Sequence, residues 1–410
     1  GLVTLVTYIT PTNKLGKILI FSTSWTLLEI IRGSLFTGFP WNLIGSIWSV
    51  SDNMMQITSI VGIWGLSFLT ILIFLLPSYI INLSKNKATQ GTFMPVAFCV
   101  FFFIIIWSFG SIRLNLGVSS FYSNVYIRIV QANVPADLKW NPANRFNIVQ
   151  KHFDMSYSQG FENITHLIWP ETALPFYINK GSALLKQLKN IIPRKGGLIT
   201  GSLRSNEAIN GIELWNSLHV INEDGNIIDT YDKSHLVPFG EYVPFRNILP
   251  IKKITPGLVD LTAGNGLKTI AIPNFPSFSP LICYEVIFPG NVIDKDDPPD
   301  LLLNVTNDAW YGRSPGPYQH FNMAKTRAIE QGLPLIRAAN TGISGVIGPY
   351  GRVIKKSKLG KDAILDSYIP SKIPNGTLYG KFGNNIVFLI MLIAIIVTFL
   401  QGNHSSARIE

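Results

Sequence analysis

Long apolar segments are the feature that most constrains how this chain can fold. Residues 1–120 contain only eight Asp, Glu, Lys or Arg side chains, and the segment 386–400 contains none. A helix needs about 20 mostly apolar residues to cross the ~30 Å hydrocarbon core of a bilayer. The sequence therefore predicts membrane-spanning helices at 15–32, 57–82, 93–110 and 386–400.

The distribution of basic residues predicts how these helices are oriented. The loop between the second and third predicted spans carries Lys85 and Lys87, whereas the 33–54 loop has no Lys or Arg. Loops that remain in the cytoplasm are enriched in basic residues. We therefore expect the third span to deliver the domain that follows to the outer face of the membrane, and the fourth to return the tail to the cytoplasm.

The 33–54 loop is aromatic and almost uncharged. Two interpretations fit this composition. Aromatic residues are enriched where helices meet the membrane surface, which would make the loop an interfacial belt. Alternatively, the loop forms a wall of a site that lipids enter from the bilayer.

The net charge of +10 arises from 34 Lys and Arg residues against 24 Asp and Glu residues. A nucleic-acid-binding protein clusters its basic residues on one face or along one helix, and the sequence contains no such cluster. Basic residues that flank membrane spans explain the charge better, so no nucleic-acid partner is expected.

The middle of the chain has the composition of a globular domain, which we place at 121–375, between membrane segments at 1–120 and 384–402. Apolar strands and helices alternate there, which is typical of an α/β fold. Gly225 predicts a tight hairpin turn. Strands are predicted at 125–134, 166–171, 197–203, 216–222, 281–288 and 300–308 and as a pair at 334–340 and 342–348, and helices at 142–159 and 318–332.

The two cysteines have different surroundings. Cys99 falls inside a predicted span, whereas Cys283 follows the apolar residues Leu281 and Ile282 near the end of a predicted strand. A lone buried cysteine is most often a small hydrophobic residue. To act as a nucleophile, it needs a base or a cation that favours the thiolate.

Two further residues could supply that chemistry. Glu171 follows the apolar segment HLIWP, where an unpaired carboxylate would be costly to bury, although a helix cap or a salt bridge would also explain it. Lys233 lies in YDKSHLVPFGEYVP, a loop-like run with Glu241 eight positions on. By itself, such a lysine is usually a solvated surface residue.

Together, WPETALP, YDKSHLVPFGEYVP and LICYEVIFP resemble, in order, the glutamate, lysine and cysteine motifs of the nitrilase (carbon–nitrogen hydrolase) superfamily. The resemblance covers residues 125–370 and includes the stretches around Trp140 and Trp310. It implies an α/β fold of the α-β-β-α sandwich type. The flanking spans make the chain similar to membrane-bound acyltransferases of that superfamily. These have more spans, so we expect an N-terminal segment to be missing.

The resemblance also implies a role for each residue. Glu171 would be the general base and Cys283 the acyl-carrying nucleophile, while Lys233 would stabilise the oxyanion together with a backbone N–H. The six histidines show no metal-ligand spacing such as HExxH, so neither a metal nor another cofactor is expected. The supporting residues around the pocket would be Glu241, Tyr284, Glu285, Trp140 and Trp310.

Three hypotheses for the function follow. In the first, an acyl chain passes from a membrane phospholipid, through a Cys283 thioester, to the N-terminal amine of a diacylglyceryl-cysteine lipoprotein. This protein would be a monomer in the bilayer of a bacterial inner membrane, with its catalytic domain in the periplasm. In the second, a membrane-tethered amidase of the same superfamily uses water as the acceptor. In the third, a transporter or receptor only binds its ligand, and the intact Glu–Lys–Cys set argues against it.

Overall fold

The structure is a computed structural model that describes residues 1–84, 93–118, 120–208, 211–245 and 260–406. Lys85 and Lys87, on which the predicted orientation depends, lie outside the described residues. The helices are α1 (Leu2–Ile9), α2 (Lys14–Ser34), α3 (Asp52–Met55), α4 (Thr58–Ser84), α5 (Phe93–Leu116), α6 (Ala136–Lys139), α7 (Arg145–Ser156), α8 (Ala183–Leu188), α9 (Gly316–Gln331), α10 (Leu378–Phe382) and α11 (Asn385–Ser406).

The apolar helices pack together near the two ends of the chain. Among the described residues, the helices long and apolar enough to cross a membrane are Lys14–Thr37, Thr58–Ser78 and Ala97–Leu116. They agree with the first three predicted spans, whose ends shift by a few residues. The fourth prediction lies on α11, where the apolar part, Asn385–Leu400, is shorter. Helix α4 packs against α2, α5 and α11.

The strands form two sheets. They are β1 (Phe121–Gln131), β2 (His166–Ile168), β3 (Leu174–Tyr177), β4 (Gly197–Ala208), β5 (Gly211–Asn222), β6 (Ile227–Asp232), β7 (Phe278–Ile282), β8 (Leu301–Thr306), β9 (Leu335–Ala339), β10 (Gly345–Ile347), β11 (Val353–Lys356) and β12 (Ala363–Pro370). The first sheet has the order β12-β1-β2-β4-β5-β6, with β3 beside β4, and the second has the order β11-β10-β9-β8-β7. Strands β1, β2 and β4 run parallel, as do β7, β8 and β9.

The two sheets face each other across one apolar core. Ile127 and Ile168 of the first sheet share this core with Leu281 and Leu303 of the second. Helices α7 and α8 cover the outer face of the first sheet, and α9 covers that of the second. Parallel strands covered on both faces are expected to be buried along their whole length, as β8 is. This arrangement confirms the predicted α-β-β-α sandwich.

The structure corrects some of the predicted elements. The strand predicted at 281–288 ends at Ile282, and Cys283–Ile287 forms a 3-10 helix instead. The backbone turns there because Cys283 has a φ of +54°, which a strand cannot accommodate. Gly225, with a φ of +81°, lies in the predicted turn between β5 and β6. Strand β12 was not predicted; it pairs antiparallel with β1 although the two are far apart in sequence.

A buried carboxylate, paired with an arginine of its own helix, joins the strand-rich domain to the membrane helices. Helix α4 is broken at Gly62, where φ is +68°, and the Ile63 N–H donates to Glu330 Oε1 over 2.8 Å. Glu330 lies on α9 and pairs with Arg327 over 2.9 Å. The Tyr379 ring packs so closely on Gly62 that a Cβ there would collide with it. The Glu330 carboxylate therefore caps the second half of a membrane helix.

Removing one charge of this pair should destabilise the protein more than removing both. Glu330→Ala leaves the Arg327 guanidinium buried without a counter-charge, which costs about 3–5 kcal/mol. The double variant Arg327→Met, Glu330→Leu removes both charges and should recover most of that stability. Thermal unfolding in detergent, followed by circular dichroism, measures the difference. Equal losses in the two variants would contradict an electrostatic origin.

Candidate active site

The three residues predicted to act together all follow strands of the sandwich. Lys233 comes directly after β6 and Cys283 directly after β7, while Glu171 lies in the turn that follows β2. All three side chains are buried. Their charges influence one another, since Glu171 and Lys233 both act on the pKa of Cys283. The structure therefore brings together three residues that span more than one hundred positions of the sequence.

Cys283 lies at a strained turn. Its φ of +54° falls in the left-handed region, which residues other than glycine rarely occupy. Such strain persists only where neighbouring contacts hold it, and it is common at functional sites. Here the Ile282 N–H donates to Glu285 Oε2 over 2.7 Å, within the turn that begins the 3-10 helix. This contact fixes the backbone that presents the thiol.

Glu285 also fixes the loop that carries Lys233. Its Oε1 atom accepts hydrogen bonds from the Ser234 and His235 N–H groups over 2.8 and 3.0 Å. The Ser234 and Tyr231 hydroxyl groups donate to the same oxygen over 3.0 and 2.8 Å. One buried carboxylate therefore joins the Cys283 turn to the Lys233 loop.

A network of polar side chains links Lys233 to Glu171. Lys233 Nζ pairs with Glu241 Oε2 over 2.8 Å. Asn216 Nδ2 lies 2.7 Å from Glu171 Oε1 and 3.2 Å from Glu241 Oε1, so it donates toward both carboxylates. Glu171 Oε2 is buried and has no hydrogen-bond partner among the described residues. That oxygen is free to accept a proton.

The electrostatics keep the resting thiol neutral. Burial, and then the Glu171 carboxylate, raise the pKa of Cys283 to about 12, against the opposing effect of Lys233. Burial also raises the pKa of Glu171, while Lys233 lowers it. Burial by itself would lower the pKa of Lys233, but Glu241, Cys283 and Glu171 raise it overall, so the lysine stays charged. The arrangement suits proton transfer from the thiol to Glu171 as a bond to sulfur forms.

A second buried network supports the Cys283 backbone. His320 Nε2 lies 3.3 Å from the Cys283 carbonyl oxygen, and His320 Nδ1 lies 2.8 Å from Asp308 Oδ1. Arg337 Nη2 pairs with Asp308 Oδ2 over 2.8 Å. Burial would raise the pKa of Asp308, but Arg337 and His320 lower it overall, so the carboxylate remains ionised. Asp308 and His320 lie in NDAWYG and GPYQH, two stretches that resemble the superfamily, whereas no pattern in the sequence pointed to Arg337.

Residues 38–41 of the membrane part form one wall of the site. The Tyr284 hydroxyl donates to the Gly38 carbonyl oxygen, and the Phe39 ring stacks on Tyr284 with 6.1 Å between centroids. The Trp41 indole N–H donates to Gln319 Oε1 over 2.7 Å. The 33–54 loop therefore reaches the residue next to the nucleophile, which favours the second interpretation of that loop.

The remaining predicted residues lie farther out. Trp140 is 41% exposed, with its ring 6.0 Å from Lys139 Nζ, and Trp310 is 59% exposed. Each of these tryptophans directly neighbours, in the sequence, a residue whose side chain points toward the site. Lys139, which was not predicted, is buried and donates to the Glu171 carbonyl oxygen over 3.1 Å. The signal in the sequence that could have pointed to Lys139 was its position directly before Trp140.

Family models match both parts of the chain. The model for carbon-nitrogen hydrolases matches residues 127–372, more than half of the chain. The model for the apolipoprotein N-acyltransferase N-terminal domain matches residues 1–76.

Individual relatives agree with these matches. An apolipoprotein N-acyltransferase of Rhodopseudomonas palustris is 38% identical over 400 residues, covering 93% of this chain and 73% of that protein. One of Rickettsia bellii is 40% identical over 384 residues, covering 93% and 75%. Among solved structures, an amidase mutant of the nitrilase superfamily from Nesterenkonia AN1 has a TM-score of 0.43 at 17% identity, covering 62% of this chain and 94% of that one.

The sandwich fold and the match over residues 127–372 define the class, which is that of the carbon–nitrogen hydrolases. Within it, and with the membrane part matched as well, the chain belongs to the apolipoprotein N-acyltransferase family.

Burial raises the pKa of Glu171, and the buried charge of Lys139 is one of the groups that oppose this rise, so it should shift the pH dependence of the site. Glu171 accepts a proton only when ionised, so activity should fall as pH drops through its raised pKa. Lys139 lowers the pKa of Glu171, so Lys139→Met should move the midpoint of this acid limb to higher pH. Burial lowers the pKa of Lys139 itself to about 8, so the effect should be confined to lower pH.

The measurement is the rate of acyl-enzyme formation as a function of pH. The variant Lys151→Met, which removes the charge of a half-buried lysine paired with Asp362, serves as the control. An unchanged midpoint in Lys139→Met would show that Lys139 does not act through the charge of Glu171.

Proposed function

We propose that this acyltransferase takes an acyl chain from a membrane phospholipid, carries it as a thioester on Cys283 and delivers it to the N-terminal amine of a diacylglyceryl-cysteine lipoprotein. The observation that carries the proposal is a buried Cys283 thiol beside a wall built by the membrane part, with Glu171 and Lys233 buried after other strands of the same sandwich and linked through Asn216 and Glu241. The names of the relatives support a lipoprotein acceptor.

The proposed first half-reaction acylates the enzyme. The Cys283 sulfur attacks the ester carbonyl carbon while Glu171 takes the thiol proton. Lys233 and a backbone N–H near Tyr284 stabilise the tetrahedral oxyanion. When the carbon–oxygen bond breaks, the lysophospholipid alkoxide receives the proton from Glu171, and the thioester remains.

The second half-reaction uses the same groups in the same order. The uncharged amine of the acceptor attacks the thioester carbonyl, and Glu171 takes a proton from the amine nitrogen, since an ammonium ion cannot attack. The carbon–sulfur bond then breaks to give the amide, and the proton returns to the Cys283 thiolate. Glu241 and Asn216 keep Lys233 and Glu171 in position through both halves.

Scarcity of water would favour the amine over hydrolysis. The site is buried, and Phe39 and Trp41 cover one side of it with apolar rings. Exclusion of water from such a site protects a reactive acyl intermediate. A lipid-anchored amine would arrive from the membrane side, where it is concentrated in two dimensions.

We further propose that residues 121–375 form a periplasmic catalytic domain. Residues 1–120 and 384–402 would anchor it in a bacterial inner membrane, and a monomer would be sufficient, because the three reacting side chains come from one chain. The apolar helices and the absence of Lys and Arg from the 33–54 loop support this topology.

An acyl-enzyme on Cys283 is the central expected outcome. Protein incubated with phospholipid alone should gain the mass of one fatty acyl group, and the group should leave when a diacylglyceryl-peptide is added. Cys283→Ala should abolish the adduct, because a methyl group cannot form a thioester. Cys99→Ala, which removes the other cysteine, should leave the adduct intact. Intact-protein mass spectrometry and peptide mapping provide both measurements.

The same experiment separates transfer from hydrolysis. Rapid release of free fatty acid without acceptor, with no acylated peptide when acceptor is present, would favour the membrane-tethered amidase. Ordinary acyl transfer by Cys283→Ala would contradict the assignment of the nucleophile.

The topology has its own test. In a background of Cys99→Ala and Cys283→Ala, Asp224→Cys introduces a thiol beside the exposed β5–β6 turn. A membrane-impermeant thiol reagent should label it in intact spheroplasts, while Lys14→Cys, on the predicted cytoplasmic side, should react only after lysis. The reverse pattern would place the domain in the cytoplasm.

A further inference from the structure

A lysine-rimmed groove lies on the domain, apart from the residues described above. Its volume is about 460 Å³, and it runs between α9 and the segment from β11 to residue 361. Phe321 and Ile343, both buried, give it an apolar floor. The lysines that line it are Lys325, Lys356, Lys358 and Lys361.

Most of this positive charge is uncompensated. Lys325 pairs with Asp52. Lys356, Lys358 and Lys361 are exposed and form no ion pair with any residue that the structure describes. Like charges placed close together repel, so a groove that collects three of them favours an anionic ligand.

The groove lies close to the point where the domain joins the membrane helices. Arg352 donates to the carbonyl oxygens of Leu114 and Gly117, at the C-terminal end of α5. Val353, the next residue, lines the groove. Asp52, which pairs with Lys325, begins α3, and α3 packs against α5. Since Ala97–Leu116 is long enough to cross a membrane, the groove borders the level of the lipid headgroups.

Helix α9 separates this groove from the active site. Tyr318, Phe321 and Lys325 face the groove at helical spacing. His320, on another face of the helix, lies 3.3 Å from the Cys283 carbonyl oxygen. Glu171, Lys233 and Cys283 do not line the groove.

We propose that this groove binds the phosphate-bearing headgroup of an anionic phospholipid from the surrounding membrane. The three unpaired lysines contact the headgroup, and the apolar floor contacts the glycerol and the first methylene groups. A lysine ammonium group binds phosphate oxygens as a compact positive charge. The site goes beyond the proposed acyl transfer, because it neither contains nor requires the nucleophile.

Lipid binding by the full chain tests the proposal. All variants carry Cys283→Ala, so that no acyl group is transferred. The groove variant adds Lys356→Gln, Lys358→Gln and Lys361→Gln. The control variant adds Lys180→Gln, Lys186→Gln and Lys195→Gln, which remove three equally exposed charges elsewhere.

Each protein is titrated in neutral detergent with phosphatidylglycerol or phosphatidylcholine, and retained lipid is counted by native mass spectrometry. We expect the groove variant to lose about tenfold in affinity for phosphatidylglycerol, since each exposed lysine contributes only a modest ion-pair attraction, and the control variant to match the Cys283→Ala protein. Replacing the same three residues with Arg should preserve binding.

Unchanged phosphatidylglycerol binding by the groove variant would overturn the proposal, and so would equal binding of the two lipids by the Cys283→Ala protein. Displacement of the lipid by inorganic phosphate would also overturn it, since the ligand would then be a free anion. The readout is binding in a protein without its nucleophile, so these outcomes are independent of whether acyl transfer occurs.

Discussion

The Glu285 carboxylate is the point on which the geometry of the active site depends. One oxygen accepts from the Ile282 N–H, at the strained turn that presents Cys283. The other accepts from the loop that carries Lys233, through the Ser234 and His235 N–H groups. A buried carboxyl group is costly to leave without hydrogen-bond partners, so these contacts hold both segments in place. The nucleophile and the cation thus cannot move independently.

The charged groups around the thiol form a network that is larger than the three residues Glu171, Lys233 and Cys283. Lys233 is held between Glu241 and the Glu171–Cys283 pair, and Asn216 bridges the two carboxylates. In a site shielded from water, such fixed charges act on a developing oxyanion without first reorganising solvent. The same shielding raises the pKa of Cys283 to about 12, so the thiolate forms only as the reaction proceeds.

The membrane part is a component of the site and not only an anchor. Residues 38–41 contact Tyr284, next to the nucleophile, and helix α9 connects both regions. On α9, Glu330 caps the broken membrane helix at Ile63, while His320 approaches the Cys283 carbonyl oxygen. These buried contacts dock the domain on the helices and hold the Cys283 turn beside residues of the membrane part.

The sequence by itself determined the membrane spans, the α/β class and the likeness of three motifs to those of a known superfamily. Each of these is encoded locally, in apolar length, in periodicity or in a short run of residues. Only the tertiary structure decided that Lys139, Asn216 and Asp308 surround the site, that the 38–41 segment forms a wall, and that Trp140 and Trp310 remain exposed. It also decided that β12 pairs with β1 and that the backbone leaves the strand at Cys283. These features depend on contacts between residues far apart in the chain, which local patterns do not encode, because burial and partner choice are fixed only when the two sheets and the membrane helices pack together.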